Sequence, residues 1–89
     1  MTRKHLLVRG LVQGVGFRWY ALEAASRLGV TGWVRNRPDG AVEAEAQGRD
    51  EDVAEFAAAL RRGPTSARVD AVEQKDVPAG ETGSAFEIL

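Results

Sequence analysis

The chain of 89 residues contains no cysteine, one histidine and one asparagine, and these absences remove several chemistries at once. Without cysteine there is no disulfide framework, no thiolate nucleophile and no cysteine-bound zinc or iron–sulfur centre. A single histidine, His5, cannot supply a His-rich metal site. No apolar run approaches the ~20 residues of a membrane span. Met1-Thr2-Arg3-Lys4-His5 leads directly into a strand-like segment in place of the apolar stretch of a signal peptide. The expectation is a cytoplasmic, soluble protein with no membrane partner. Net charge is scarce as well: twelve basic and thirteen acidic side chains leave −1, so the bulk attraction to polyanions on which nucleic-acid binders rely is missing. At this length the chain makes one domain, 1–89, with a modest core and no room for a second.

The charge that is present is unevenly placed. Residues 1–40 hold Arg3, Lys4, Arg9, Arg18, Arg27, Arg35 and Arg37 against Glu23 and Asp39, whereas residues 41–89 are acidic on balance. Solvated surface charge accounts for most of this. A small anion held locally by the basic half is the alternative, and Arg18 has the surroundings that favour it.

Leu6, Val8 and Val12 lie two or four apart around Gly10, as on one face of a strand, which ends in Gln13-Gly14-Val15-Gly16. The period then changes. Phe17, Ala21, Ala24, Ala25 and Leu28 fall on one stripe of a helix closed by Gly29. The pattern predicts a second strand from Val30 to about Asn36, and a turn at Arg37-Pro38-Asp39-Gly40. Val42, Ala44 and Ala46 next alternate with Glu43, Glu45 and Gln47, giving a hairpin with one wet face. Asp50-Glu51-Asp52 supplies acids to a helix start, Val53, Phe56, Ala57 and Leu60 form its stripe, and Arg61-Arg62-Gly63-Pro64 marks its end. A fourth strand is expected from about Ala67 to Val77, loops at Pro78-Ala79-Gly80 and Thr82-Gly83-Ser84, and a short closing strand from Ala85 to Leu89.

This order is that of an α+β, ferredoxin-like βαββαβ sandwich, an antiparallel-rich sheet with two helices on one face and a short C-terminal strand. The other sheet face is expected to be partly open to water or covered by a partner. The first and second strands flank one crossover helix and are expected to be close neighbours in the sheet, which would bring Asn36 beside the mouth of the glycine-rich loop.

Gln13-Gly14-Val15-Gly16-Phe17-Arg18 joins a strand to a helix, where glycines let the backbone curl and the first helical N–H groups point outward without partners. Phosphate or carboxylate would be held there by amides and the helix dipole, and Arg18 adds a planar, permanently charged fork matched to phosphate oxygens. The glycines alone favour a tight turn; Arg18 beside them brings the anion site level with it. A P-loop is excluded, since Gly16-Phe17-Arg18 stands where Gly-Lys-Ser/Thr is needed. A dinucleotide fingerprint is excluded by Trp19 at its third glycine position. Gly14-Val15-Gly16-Phe17-Arg18-Trp19-Tyr20 has a passing likeness to the aromatic signature of RNA recognition motifs, but that signature belongs on a sheet strand and not at a loop–helix junction.

Val8-Arg9-Gly10-Leu11-Val12-Gln13-Gly14-Val15-Gly16-Phe17-Arg18 resembles the first signature of acylphosphatases, and Gly32-Trp33-Val34-Arg35-Asn36-Arg37-Pro38-Asp39-Gly40 resembles the second. Gln47-Gly48 and Gly63-Pro64 follow where that family tends to have them, so the resemblance covers essentially the whole chain. It implies hydrolysis of carboxyl-phosphate anhydrides on a ferredoxin-like fold, with Arg18 binding phosphate and Asn36 orienting the attacking water. It also implies a monomer without cofactor or metal, taking a small acyl phosphate and releasing inorganic phosphate, which would inhibit.

The residues agree with that chemistry. An acyl phosphate leaves as a carboxylate, whose conjugate acid has a pKa of about 4, so no proton donor is required at neutral pH. Direct attack by water then asks for positioning and for stabilisation of three phosphoryl oxygens, which amides, one arginine and one side-chain amide can provide. Asn36 can accept a water hydrogen and donate to phosphate. Without the resemblance, a strand-end residue bonding its own turn before Pro38 is the better-supported role. His5 is expected at the surface or an edge, Tyr20 and Trp33 as packing groups, and Arg9, Arg35 and Arg37 as contributors to local positive potential without catalytic roles. A non-catalytic anion- or protein-binding module is the alternative function, because the same domain heads larger hydrogenase-maturation proteins. The length of the chain favours the enzyme.

Overall fold

In the computed structural model, which describes residues 1–81 and 83–89, the alternating segment around Leu6 and Val8 forms strand β1 (Thr2–Leu11). It is followed by α1 (Phe17–Leu28), β2 (Thr31–Asn36), β3 (Val42–Gly48), α2 (Asp50–Arg62), β4 (Arg68–Val77) and β5 (Phe86–Ile88). Each expected element is present; β1 begins at Thr2 and takes in the residues expected to precede it, and the other strands' bounds move by a residue at most. The loop expected at Thr82-Gly83-Ser84 lies outside the described residues at its first position.

The five strands form one sheet in the order β4-β1-β3-β2-β5. Three pairings are antiparallel and β2 with β5 is parallel, so the ferredoxin-like α+β arrangement holds, with β5 added at an edge. One expectation is corrected: β1 and β2 are not neighbours, because β3 lies between them and pairs with both. The crossover through α1 leaves a strand-wide slot, and the tight Arg37–Gly40 turn sends β3 back into it. Val8 pairs with Val42, and Val42 with Asn36, which places Asn36 level with Val8 at roughly 10 Å, two strand spacings away. β1 and β2 run the same way, so the strand ends that carry Leu11 and Asn36 lie at one end of the sheet.

Both helices bury their stripes on the same sheet face. Phe17, Ala21, Ala24 and Ala25 of α1 and Val53, Phe56, Ala57, Ala59 and Leu60 of α2 meet Leu6, Val8, Val34, Val42, Ala44 and Ala46 in one core. Burying side chains the size of Phe56 or Leu60 contributes about 1.5–3 kcal/mol each. The termini match the helix dipole. Asp50, Glu51 and Asp52 occupy the first turn of α2 and Arg61 and Arg62 its last, and α1 closes with the Gly29 N–H donating to Ala25 O.

The opposite sheet face is laced by ion pairs rather than by an apolar layer. Arg3 Nε meets Glu45 Oε1 at 2.7 Å, His5 Nε2 and Arg35 Nε reach the two oxygens of Glu43 at 2.6 Å each, and Arg9 Nε meets Glu73 Oε2 at 2.8 Å. Residues of β1, β2, β3 and β4 supply these groups. The alternation is polar as expected, but the wet face is corrected, since Glu43 and Gln47 are buried beneath their partners at 8% and 9% exposure.

Candidate active site

Residues 13–16 carry the chain from β1 into α1 in consecutive bends. Gly14 and Gly16 adopt φ of 75° and 79°, and a Cβ at either would meet nothing within 4 Å, so backbone conformation and not crowding calls for glycine. No side chain caps α1, and its first turn holds no acidic residue. The first helical bond runs from Tyr20 N–H to Gly16 O at 3.0 Å. The N–H groups of Phe17, Arg18 and Trp19 therefore have no acceptor within the helix and face the loop with the positive end of the dipole.

Several bonds hold this loop. Ser66 Oγ, from the segment between α2 and β4, donates to Val15 O at 3.1 Å. Gln13 Nε2 donates to Arg37 O at 2.7 Å and Ala41 O at 3.0 Å. Phe17 is 2% exposed, packs edge-on against Tyr20 with centroids 5.9 Å apart, and Tyr20 Oη donates to Ala59 O of α2 at 2.7 Å. Phe17 thus keeps a main-chain amide without a helical acceptor while its ring anchors the helix start, and Tyr20 is a packing group, as expected.

Arg18 is half-buried on the first turn of α1, and among the described residues its guanidinium makes no ion pair or hydrogen bond. The other candidate cations near it in sequence are neutralised. Arg9 pairs with Glu73 and lies 3.8 Å from Asp39; Arg35 pairs with Glu43; Arg37 approaches Asp39 at 3.2 Å and Glu43 at 3.9 Å. Much of the basic half of the chain is therefore cancelled by contacts; among the described residues Arg18, at the start of α1, and Arg27, in its last turn, stay unpaired, and only Arg18 adjoins the loop.

Asn36 ends β2 opposite Val42. It is half-buried, and its side chain makes none of the bonds that close the following turn. Those come from Arg37 N–H to Ala41 O at 2.8 Å, Gly40 N–H to Arg37 O at 3.1 Å and Ala41 N–H to Asp39 Oδ1 at 3.1 Å. The local turn-bonding role considered for Asn36 is thereby taken by Asp39. The Ala41 amide, with Arg37 and Arg9 beside it, holds the Asp39 carboxyl below its ordinary range. The two Gln13 bonds then bring the loop against this turn, at the end of the sheet where Asn36 sits.

Glu43 lies next to the turn with its side chain 11% exposed. Burial pushes its carboxyl up, but hydrogen bonds from His5 and Arg35 and the Arg35 charge outweigh this and leave it below the ordinary glutamate range. Among the described residues no group of three His, Asp or Glu side chains converges as metal ligands would. Ser66 carries no signal in the sequence, being one hydroxyl in a Pro-Thr-Ser loop.

Fold and site together define a ferredoxin-like α+β sandwich with an open loop at one end of its sheet and, on the helix turn that follows the loop, an arginine that is unpaired among the described residues. The acylphosphatase family profile matches residues 4–88, and the chain belongs to that family. It is 54% identical over 76 residues to an acylphosphatase of Nitrobacter hamburgensis, covering 85% of this chain and 77% of that one. It is 48% identical over 89 residues to an acylphosphatase of Bifidobacterium longum, covering 99% and 92%. The crystal structure of acylphosphatase from Bacillus subtilis superposes with a TM-score of 0.96 at 32% identity, covering 100% of this chain and 99% of that one. HypF of T. kodakarensis matches at a TM-score of 0.84 and 34% identity, over 99% of this chain and 12% of that one.

Proposed function

We propose that the protein hydrolyses the carboxyl-phosphate bond of acyl phosphates, releasing carboxylate and inorganic phosphate by direct attack of water and without a metal ion. The observation that carries this is the unpaired Arg18 fork beside the uncapped start of α1, in a chain of the acylphosphatase family. In the reaction, the amides of Gln13, Gly14, Val15, Gly16, Phe17 and Arg18 and the Arg18 guanidinium hold the phosphoryl oxygens. The Asn36 carbonyl oxygen accepts a hydrogen from water and its NH2 donates to the phosphoryl group. The water oxygen attacks phosphorus as the bond to the acyl oxygen breaks. The electron pair leaves on the carboxylate, and both hydrogens of the water end on phosphate oxygens, giving dihydrogen phosphate that exchanges one proton with solvent near neutral pH. The leaving carboxylate is a weak base at neutral pH, so nothing in the site has to titrate. Stabilising charge that spreads over three phosphoryl oxygens is work for fixed donors, which amides held in a folded loop provide without reorganisation.

The substrate is a small molecule, and inorganic phosphate, being the product that fits the same donors, is a competitive inhibitor. The protein acts as a cytoplasmic monomer without nucleic-acid or membrane partners; among the described residues no helix is long and apolar enough to cross a membrane. The match to 12% of a HypF chain supports the second reading, a domain that binds an anion or a protein without turnover. Phosphate release from a short-chain acyl phosphate, measured with and without a chelator, decides between them. The enzyme turns over equally in both. A binding module shows no turnover, and loss of activity with chelator, restored by magnesium, contradicts the metal-free route.

A further inference from the structure

Among the described residues, the side-chain amide of Gln13 is the polar link between the glycine-rich loop and the turn that ends β2. Its Nε2 donates to Arg37 O at 2.7 Å and Ala41 O at 3.0 Å, the carbonyls at the two ends of that turn. Both acceptors are carbonyl oxygens, so only the NH2 end can serve them, and both its hydrogens are used. The turn does not need Gln13 to close. Arg37 O already accepts the Gly40 N–H, and Ala41 O the Arg37 N–H. The loop has its own hold on the core as well, through Ser66 to Val15 and through Tyr20 to Ala59. What remains for the Gln13 bonds to fix is the placement of one piece against the other. The β1–β3 ladder registers the two only as far as Val8–Val42, and beyond that pair no main-chain bond among the described residues joins the loop to the turn.

We propose that Gln13 is a positioning residue for hydrolysis, locking the Arg37–Ala41 turn against the loop so that Asn36 holds its water in line with the phosphoryl group bound at Arg18. This rests on the hydrolytic reading above. Binding the phosphoryl group uses the α1 amides and Arg18, all on the loop side of the link. Directing the water uses Asn36, on the turn side. Loss of the link therefore separates chemistry from binding.

The test is a double-mutant cycle of Gln13→Met, which keeps length and removes both donors, with Asn36→Ala. Steady-state kinetics give kcat, inhibition by inorganic phosphate gives Ki, and thermal melts establish folding. Gln13→Met alone is expected to lower kcat by ~10- to 100-fold, as misplacement of a reacting group does, with the phosphate Ki within about threefold of the parent. In the Asn36→Ala background the same substitution is expected to change kcat by less than about twofold, because the group it positions is gone. An undiminished effect in that background, or a phosphate Ki that rises in step with the loss in kcat, overturns the role. Should Gln13→Met not fold, Gln13→Asn, one methylene too short to reach both carbonyls, is measured in the same cycle. An Asn36→Ala protein with unchanged kcat removes Asn36 from the reaction and overturns the positioning role while hydrolysis stands, whereas a parent protein without turnover fails the hydrolytic reading itself.

Discussion

Arg35 Nε lies 2.6 Å from Glu43 Oε1, joining the end of β2 to the start of β3 on the open face of the sheet. His5 Nε2 takes the other Glu43 oxygen at 2.6 Å from β1, so one carboxylate ties three strands together beside the turn that carries Asn36. Because the folded carboxyl lies below its ordinary range, its stabilisation is complete above that range. It is lost as pH falls through the folded value. Glu43→Gln is accordingly expected to destabilise by about 1–2 kcal/mol at pH 7, the worth of charged hydrogen bonds in a partly exposed cluster. The gap in thermal midpoint between parent and variant is expected to narrow below about pH 4. Melts across pH 3–7 check this, and a gap that widens in acid would mean that the ion pairs contribute nothing.

Gly32 faces a different constraint from the loop glycines. A Cβ there would sit 2.0 Å from Glu45 O, a main-chain atom of the neighbouring strand, at φ of 140°. Gly32→Ala is expected to lower stability by about 3 kcal/mol or more, since neither backbone can give way. Gly14→Ala meets no atom within 4 Å and is expected to lose only the ~1–2 kcal/mol of a left-handed residue. Urea titrations of the two variants compare them directly. Equal losses would mean that conformation and not contact decides both.

The stripes of α1 and α2, the acidic and basic ends of α2 and the polar alternation of β3 could be read from the chain, because each follows from local period and charge, whereas the burial of Glu43 and Gln47 depends on partners from other strands and from Gly80. The neighbour relation of β1 and β2 could not, since it depends on where β3 inserts, and strand order is a property of the whole sheet. At the site, Arg18 was visible as a cation beside glycines. What distinguishes it is that Arg9, Arg35 and Arg37 find acids from β3, β4 and the turn, and those partners are up to 64 residues away in sequence. The same holds for Gln13, whose position in the loop was evident while its acceptors, 24 and 28 residues on, were not.

Asn36 is expected to act on the rate and not on binding. Asn36→Ala should keep the Ki for inorganic phosphate within about tenfold and lower kcat by ~10²-fold, as when an interaction made in the transition state is removed. Asn36→Asp keeps the acceptor but loses the donor and repels the anionic substrate, so it should do no better. Steady-state kinetics on both folded variants check this, and an aspartate variant faster than alanine would show that only the acceptor matters.

The central claim is that the open fork of Arg18 holds the phosphoryl group. Its most direct test is the catalytic efficiency of Arg18→Lys beside Arg18→Ala, with melts to confirm that both fold. Lysine keeps the charge but is a point donor and cannot reproduce the two parallel bonds of a guanidinium. The account predicts that alanine abolishes saturable binding of the acyl phosphate and that lysine restores little of it, leaving kcat/KM down by ~10²-fold or more. A folded lysine variant with near-parental kcat/KM would contradict it and place the phosphate elsewhere.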